Sequence, residues 1–197
     1  MPVSSLKSAR WSKWTTLMAV SGWIFLLAAS YLQIPLYRQI WLANQLVIGF
    51  GWLWACLWSF TAVISYISVR GFMRAAVALT MAVTLGAVIW RTDWQMTFIE
   101  TTLRLQQGSF AELAAAYRAK KPLDPPWWMR YPSIDGEVQE QGTALYLPIY
   151  LDEWRSERGS GLAYFLKPPG KDRMIQTAEG DMGRPVRDLG DGWWWVE

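Results

Sequence analysis

Three carboxylates close together, Asp152, Glu153 and Glu157, come nearest to a catalytic acid pair. Such chemistry needs two carboxyls facing each other across a scissile bond, and proximity in sequence does not supply that arrangement. Arg155 and Arg158 are interleaved with these acids, so the stretch reads as a solvated, salt-bridged segment. A second acidic set, Glu179, Asp181, Asp188 and Asp191, lies among glycines. Its spacing departs from the D-x-[DN]-x-[DN]-G calcium loop with a distal Glu, and predicts turn acids that bond their own backbone.

Nucleophilic chemistry has no visible apparatus. The single cysteine, Cys56, sits inside an apolar run, and with 0 His the chain lacks the commonest general base and metal ligand. Ser133, Ser156, Ser160, Lys167 and Lys171 form no recognisable Ser–Lys motif, and Gly159 and Gly161 lack the Lys-Ser/Thr pair of a phosphate loop. The sequence predicts no catalytic residue, no cofactor and no metal site.

The other residues able to make a function are aromatic. Of the 15 Trp, Trp127 and Trp128 follow two prolines, and Trp193, Trp194 and Trp195 are consecutive. Alternation along a strand sends the middle ring of such a triplet to the opposite face. One small core cannot then hold all of them, and these five are the candidate partner-binding residues. Trp52, Trp54 and Trp58 could flank a flat pigment or quinone, but without His to ligate such a group, contact with lipid or another helix is the expectation.

The elements that must position these residues fall into two unlike halves. Before Asp93 there are seven Lys or Arg and no acid; all 16 acids follow, with the remaining 12 basic residues. The formal +3 is thus +7 followed by −4. The basic excess flanks apolar stretches, which argues for membrane orientation rather than nucleic-acid binding. Uncharged runs of 24, 31 and 16 residues separate Lys13 from Arg38, Arg38 from Arg70 and Arg74 from Arg91. Crossing a bilayer core takes about 20 apolar residues. Helices are expected near 14–34, 44–68 and 72–92, the third completed by snorkelling Arg74 and Arg91. A cleaved leader is the competing reading of the first run, but its apolar stretch is long for one. Lys7, Arg10, Lys13, Arg70 and Arg74 outnumber Arg38 and Arg91, so the N-terminus is expected in the cytoplasm and residues 93–197 outside, in a bacterial inner membrane. Small residues recur on one stripe of the second helix (Gly51, Ala55, Ser59, Ala62) and one of the third (Ala78, Ala82, Gly86), where backbones can approach closely.

Beyond the third helix, Ser109 and Glu112 form a capping-box pattern for a helix over 110–120, with Phe110, Leu113, Ala114 and Tyr117 on one stripe. The four prolines of 120–133 predict a stiff connector. Strand-like runs follow at 144–151, 162–167 and 193–196, separated by turn signals at 158–161, 168–171, 180–183 and 190–192. Pro148 marks an edge strand or a bulge.

The expected architecture is a three-helix transmembrane bundle (1–92), a helical and Pro-rich connector (93–133) and a small α+β extracytoplasmic domain with a short antiparallel sheet of three or four strands (134–197). The expected function is non-enzymatic: an accessory, assembly or stabilising component of a membrane complex, with the lipid bilayer and membrane-protein partners as its contacts. A glycan-binding module stacking sugars on Trp rings, and a hydrolase built on Asp152, Glu153 or Glu157, are the alternatives.

Overall fold

The computed structural model describes residues 3–40, 43–130, 138–152, 158–170, 172–178 and 181–197, with side chains left aside at 3–10, 12, 38, 130, 150–152 and 158. The chain divides into two compact units, Met1–Phe98 and Ile99–Glu197.

The first unit holds α1 (Val3–Tyr31), α2 (Gln33–Ile40), α3 (Ala43–Ser68), α4 (Phe72–Arg91) and the start of α5 (Trp94–Leu105). Three of its helical stretches, Lys13–Tyr31, Ala43–Ser68 and Phe72–Arg91, are long and apolar enough to cross a membrane. The first stops three residues short of the expected 34, and α2 carries helix on to Ile40, where none was expected beyond 34. Pro35 explains the break, because it has no N–H for the Tyr31 carbonyl and its ring crowds that oxygen. Helical bonding resumes around it, Leu36 N–H donating to Leu32 O at 3.0 Å.

Two further boundaries have local causes. After α3, Arg70 adopts φ 58°, and Gly71 N–H reaches back to Tyr66 O at 2.8 Å while Arg70 N–H bonds Ile67 O. This is the Schellman closure, with arginine in the place that glycine usually takes. After α4, Asp93 caps α5 by accepting a bond from Met96 N–H at 3.0 Å.

The helical unit is packed around small residues. Gly51, Ala55, Ser59, Ala62 and Ser65 are buried along α3. A Cβ on Gly22 of α1 would meet Trp54 Cδ1 at 2.5 Å and Ala55 Cα at 2.9 Å, so the two backbones nearly touch there. Trp23 Nε1–H donates to Ser59 Oγ at 2.9 Å, and Trp23, Leu26, Ala55 and Ile89 form the core. Outward, Leu46, Leu53, Phe60, Met73, Met81 and Val83 are exposed.

Among the described residues, the second unit carries α6 (Gln107–Arg118), a 3-10 turn (Trp127–Arg130) and seven strands: β1 (Gln139–Gln141), β2 (Ala144–Asp152), β3 (Arg158–Phe165), β4 (Ile175–Ala178), β5 (Asp181–Gly183), β6 (Pro185–Gly190) and β7 (Trp193–Val196). An antiparallel sheet of order β1-β2-β3-β7-β6 lies beside a two-stranded ribbon, β4-β5. That exceeds the three or four strands expected. Helix α6 begins at Gln107, not 110, with no side-chain cap, so Ser109 lies within its first turn and the capping-box reading fails. It ends in another Schellman closure, with Lys120 at φ 52° and Lys121 N–H on Ala116 O.

Pro148 sits where the β2–β3 register shifts, a bulge between it and Tyr150. The glycines at 159 and 161, expected to make a turn, lie inside β3. A Cβ on Gly159 would collide with the Thr177 carbonyl, and one on Gly161 with the Leu147 carbonyl. Glycine is required there for close approach between strands. The 190–192 turn is as expected, with Gly190, Asp191 and Gly192 all at positive φ.

The sheet is buried on both faces. Register puts Tyr146, Ala163 and Trp194 side by side on one face, where Ala144, Phe165, Val196 and the ribbon residue Ile175 complete a core. On the other face Leu145, Tyr164 and Trp193 align, as do Leu147, Leu162 and Trp195. Helix α6 covers that side: Phe110 meets Trp193 edge-on at 5.1 Å, and Tyr117 meets Tyr164 at 6.2 Å.

Candidate functional site

The five candidate partner-binding tryptophans separate by environment. Trp193 and Trp195 are almost fully buried on the α6 side of the sheet, so exposure among the five falls to the other three. Trp194 lies on the opposite face, as strand alternation requires, and each face of the sheet has a core of its own. Trp194 is half-buried and Trp128 half-buried against Phe110 at 5.6 Å. Trp127 remains 71% exposed. Two residues on, Met129 is fully buried and fixes the 3-10 turn that presents this ring.

On the helical stripes, Gly51, Ala55, Ser59 and Ala62 are buried, whereas Ala78, Ala82 and Gly86 are only half-buried. A Cβ on Gly86 would touch Trp23 and Trp52 at 3.4 and 3.6 Å. Trp52 packs edge-on to Trp23 at 6.0 Å and to Trp90 at 6.3 Å, and Trp54 donates Nε1–H to Met18 O. These rings make helix-to-helix contacts.

The acids are dispersed. Asp181 Oδ2 accepts from Thr177 Oγ1 at 2.7 Å and from Gly159 N–H at 3.2 Å, tying the ribbon to β3. Asp188 Oδ1 accepts from Gly190 N–H, as a turn acid does, and Asp191 Oδ2 accepts from Gln107 Nε2. Among the described residues no three Cys, Asp or Glu gather. Glu153, Glu157 and Glu179 lie outside the described residues, as do Ser133, Ser156 and Lys171; of Asp152 only the backbone is described.

Two tyrosines have altered acidity. Burial, followed by the Asp181 charge, pushes the Tyr146 hydroxyl well above the ordinary tyrosine range. Its Oη is buried with no hydrogen-bond partner among the described residues, 2.8 Å from where a Cβ on Gly161 would stand. Burial and then Glu140 raise Tyr117, opposed by Arg173.

The second unit also holds a half-open cleft of about 490 Å³ that no motif announces. Its walls come from the last turn of α5 (Arg104), from α6 (Gln107, Phe110, Arg118), from β3 (Tyr164) and from the β6–β7 turn (Asp191). Phe110 and Arg118 are eight positions apart on one helix face, which is a local signal; the convergence with residues 164 and 191 is not.

Compared with known protein families, with curated proteins and with solved structures, the chain matches none.

Proposed function

We propose that this chain is a non-enzymatic membrane protein that acts by binding, as an accessory, assembly or stabilising component of a membrane complex. In this reading the three apolar helices span a bacterial inner membrane with the N-terminus inside, and the second unit is extracytoplasmic. The basic residues at 7, 10, 13, 70 and 74 support that orientation. The observation that carries the functional reading is Trp127, 71% exposed on a turn anchored by buried Met129. A large aromatic ring presented at a surface is the kind of residue that anchors a protein interface. A glycan platform would want coplanar exposed rings, and Trp193 and Trp195 are used inside the unit instead.

Trp127→Ala should leave membrane insertion and thermal stability within about 0.5 kcal/mol of wild type, as expected for an exposed position. It should abolish co-purification of a specific protein from native membranes in mild detergent. Unchanged co-purification defeats the reading. A reporter active only outside the cytoplasm should be active after Glu197 and silent after Arg70; the reverse refutes the orientation.

A further inference from the structure

We propose that the cleft between α5, α6 and the β6–β7 turn binds a phosphate group joined to an apolar body. The inference stands apart from the protein-partner reading. Arg104 and Arg118 each lie in the last turn of their helix and line the cleft. Neither guanidinium is paired with a carboxylate among the described residues; Arg118 spends its Nε–H on Ala114 O at 3.3 Å, which leaves its terminal nitrogens for another acceptor. The one carboxylate lining the cleft, Asp191, is held by Gln107 Nε2 at 3.2 Å. The cleft therefore presents two cations to one anion.

Two guanidiniums from separate helices suit a tetrahedral anion, which accepts hydrogen bonds from several directions, better than a planar carboxylate that a single Arg fork can satisfy. Leu103, Ala111 and Leu189 give the cleft its accessible apolar wall, over the almost fully buried rings of Phe110, Tyr164 and Trp193, which pack together at 5.1 and 5.4 Å. Because these rings are fixed by the fold, an apolar ligand body meets a surface that needs no ordering on binding. The volume is in the range of small-molecule sites. A soluble phosphomonoester and a phospholipid headgroup offer the same chemistry.

Phenyl phosphate titrated calorimetrically into the full chain in neutral detergent should bind saturably at one site, and benzyl alcohol should not. Arg104→Gln and Arg118→Gln, both exposed and so expected to fold, should each weaken phenyl phosphate about ten-fold, the loss of a charge-assisted hydrogen bond. Arg187→Gln, which removes a surface cation paired with Glu100 outside the cleft, should change nothing. Repeating the titration in phosphatidylcholine nanodiscs with and without phosphatidylglycerol identifies the source: loss of binding when the anionic lipid is present marks a headgroup site, retention a soluble ligand, and either upholds the proposal. No saturable binding, binding that survives the double variant, or an equal loss in Arg187→Gln overturns it.

Discussion

The two units of this chain solve the burial problem in opposite senses. The helical unit lines its α1–α3 contact with small residues, Gly51, Ala55 and Ser59, around a few large ones such as Trp23 and Leu26, and turns Leu53, Phe60 and Met81 outward. The sheet unit puts its largest inside, with Tyr146, Tyr164, Trp193 and Trp195 all nearly inaccessible. Water drives large apolar groups inward, whereas small residues at the helix contacts and large apolar ones outside are the pattern expected of helices in lipid, the setting proposed above for this unit. Polar groups follow the same division: Trp23 bonds Ser59 between helices, while Asp181 bonds Thr177 and a backbone amide between strands.

The largest effect that would sharpen this comparison is at Gly161. A valine there must displace the Leu147 carbonyl and Tyr146 in a sheet packed on both faces. Gly161→Val should cost the sheet unit about 3 kcal/mol or more, read as a lower unfolding midpoint by near-UV circular dichroism. Gly49→Ala, where a Cβ meets nothing within 4 Å, serves as the innocuous glycine change.

Next comes the α1–α3 crossing. Gly22→Leu forces the helices apart at Trp54 and Ala55 and should cost about 2 kcal/mol of helix association, followed by energy transfer between dyes on α1 and α3. Unchanged transfer would mean that the small-residue contact does not hold the bundle.

The smallest effect concerns Tyr146, whose Oη is buried with no partner among the described residues. Tyr146→Phe removes that group and should stabilise the sheet unit by about 1 kcal/mol. The pH dependence has a definite sign. The unfolded tyrosine ionises near 10.0, while the folded one holds its proton to higher pH. Stability is therefore whole below pH 10 and falls as pH rises beyond it. Tyr117 adds to the same trend, so the phenylalanine variant should show a shallower alkaline loss, not none.

Much of the helical unit was legible because uncharged length is a property of the sequence alone; the same measure hid α2, whose polar Gln33, Arg38 and Gln39 flank no long apolar run. The sheet unit was less legible because its decisive contacts are long-range. Gly159 and Gly161 look like turn residues until Thr177 and Leu147 are known to lie against them. The stripe Phe110, Leu113, Ala114 and Tyr117 was readable as a helix face, but not that it would cover a second face of the sheet and take up Trp193. Of the candidate contact residues, Trp127 was legible from its proline-rich surroundings, and the Arg104–Arg118 cleft was not, because four separate segments build it.

The central claim is that the two units answer to different solvents, and nitroxide accessibility tests it most directly. With Cys56 replaced by alanine and the chain reconstituted in bilayers, spin labels at Leu53 and Met81 should be relaxed by oxygen and shielded from a nickel chelate. Labels at Met182 and Val186, exposed on the sheet unit, should show the reverse. A nickel chelate that reaches Leu53 and Met81 as freely as Met182 would contradict the account.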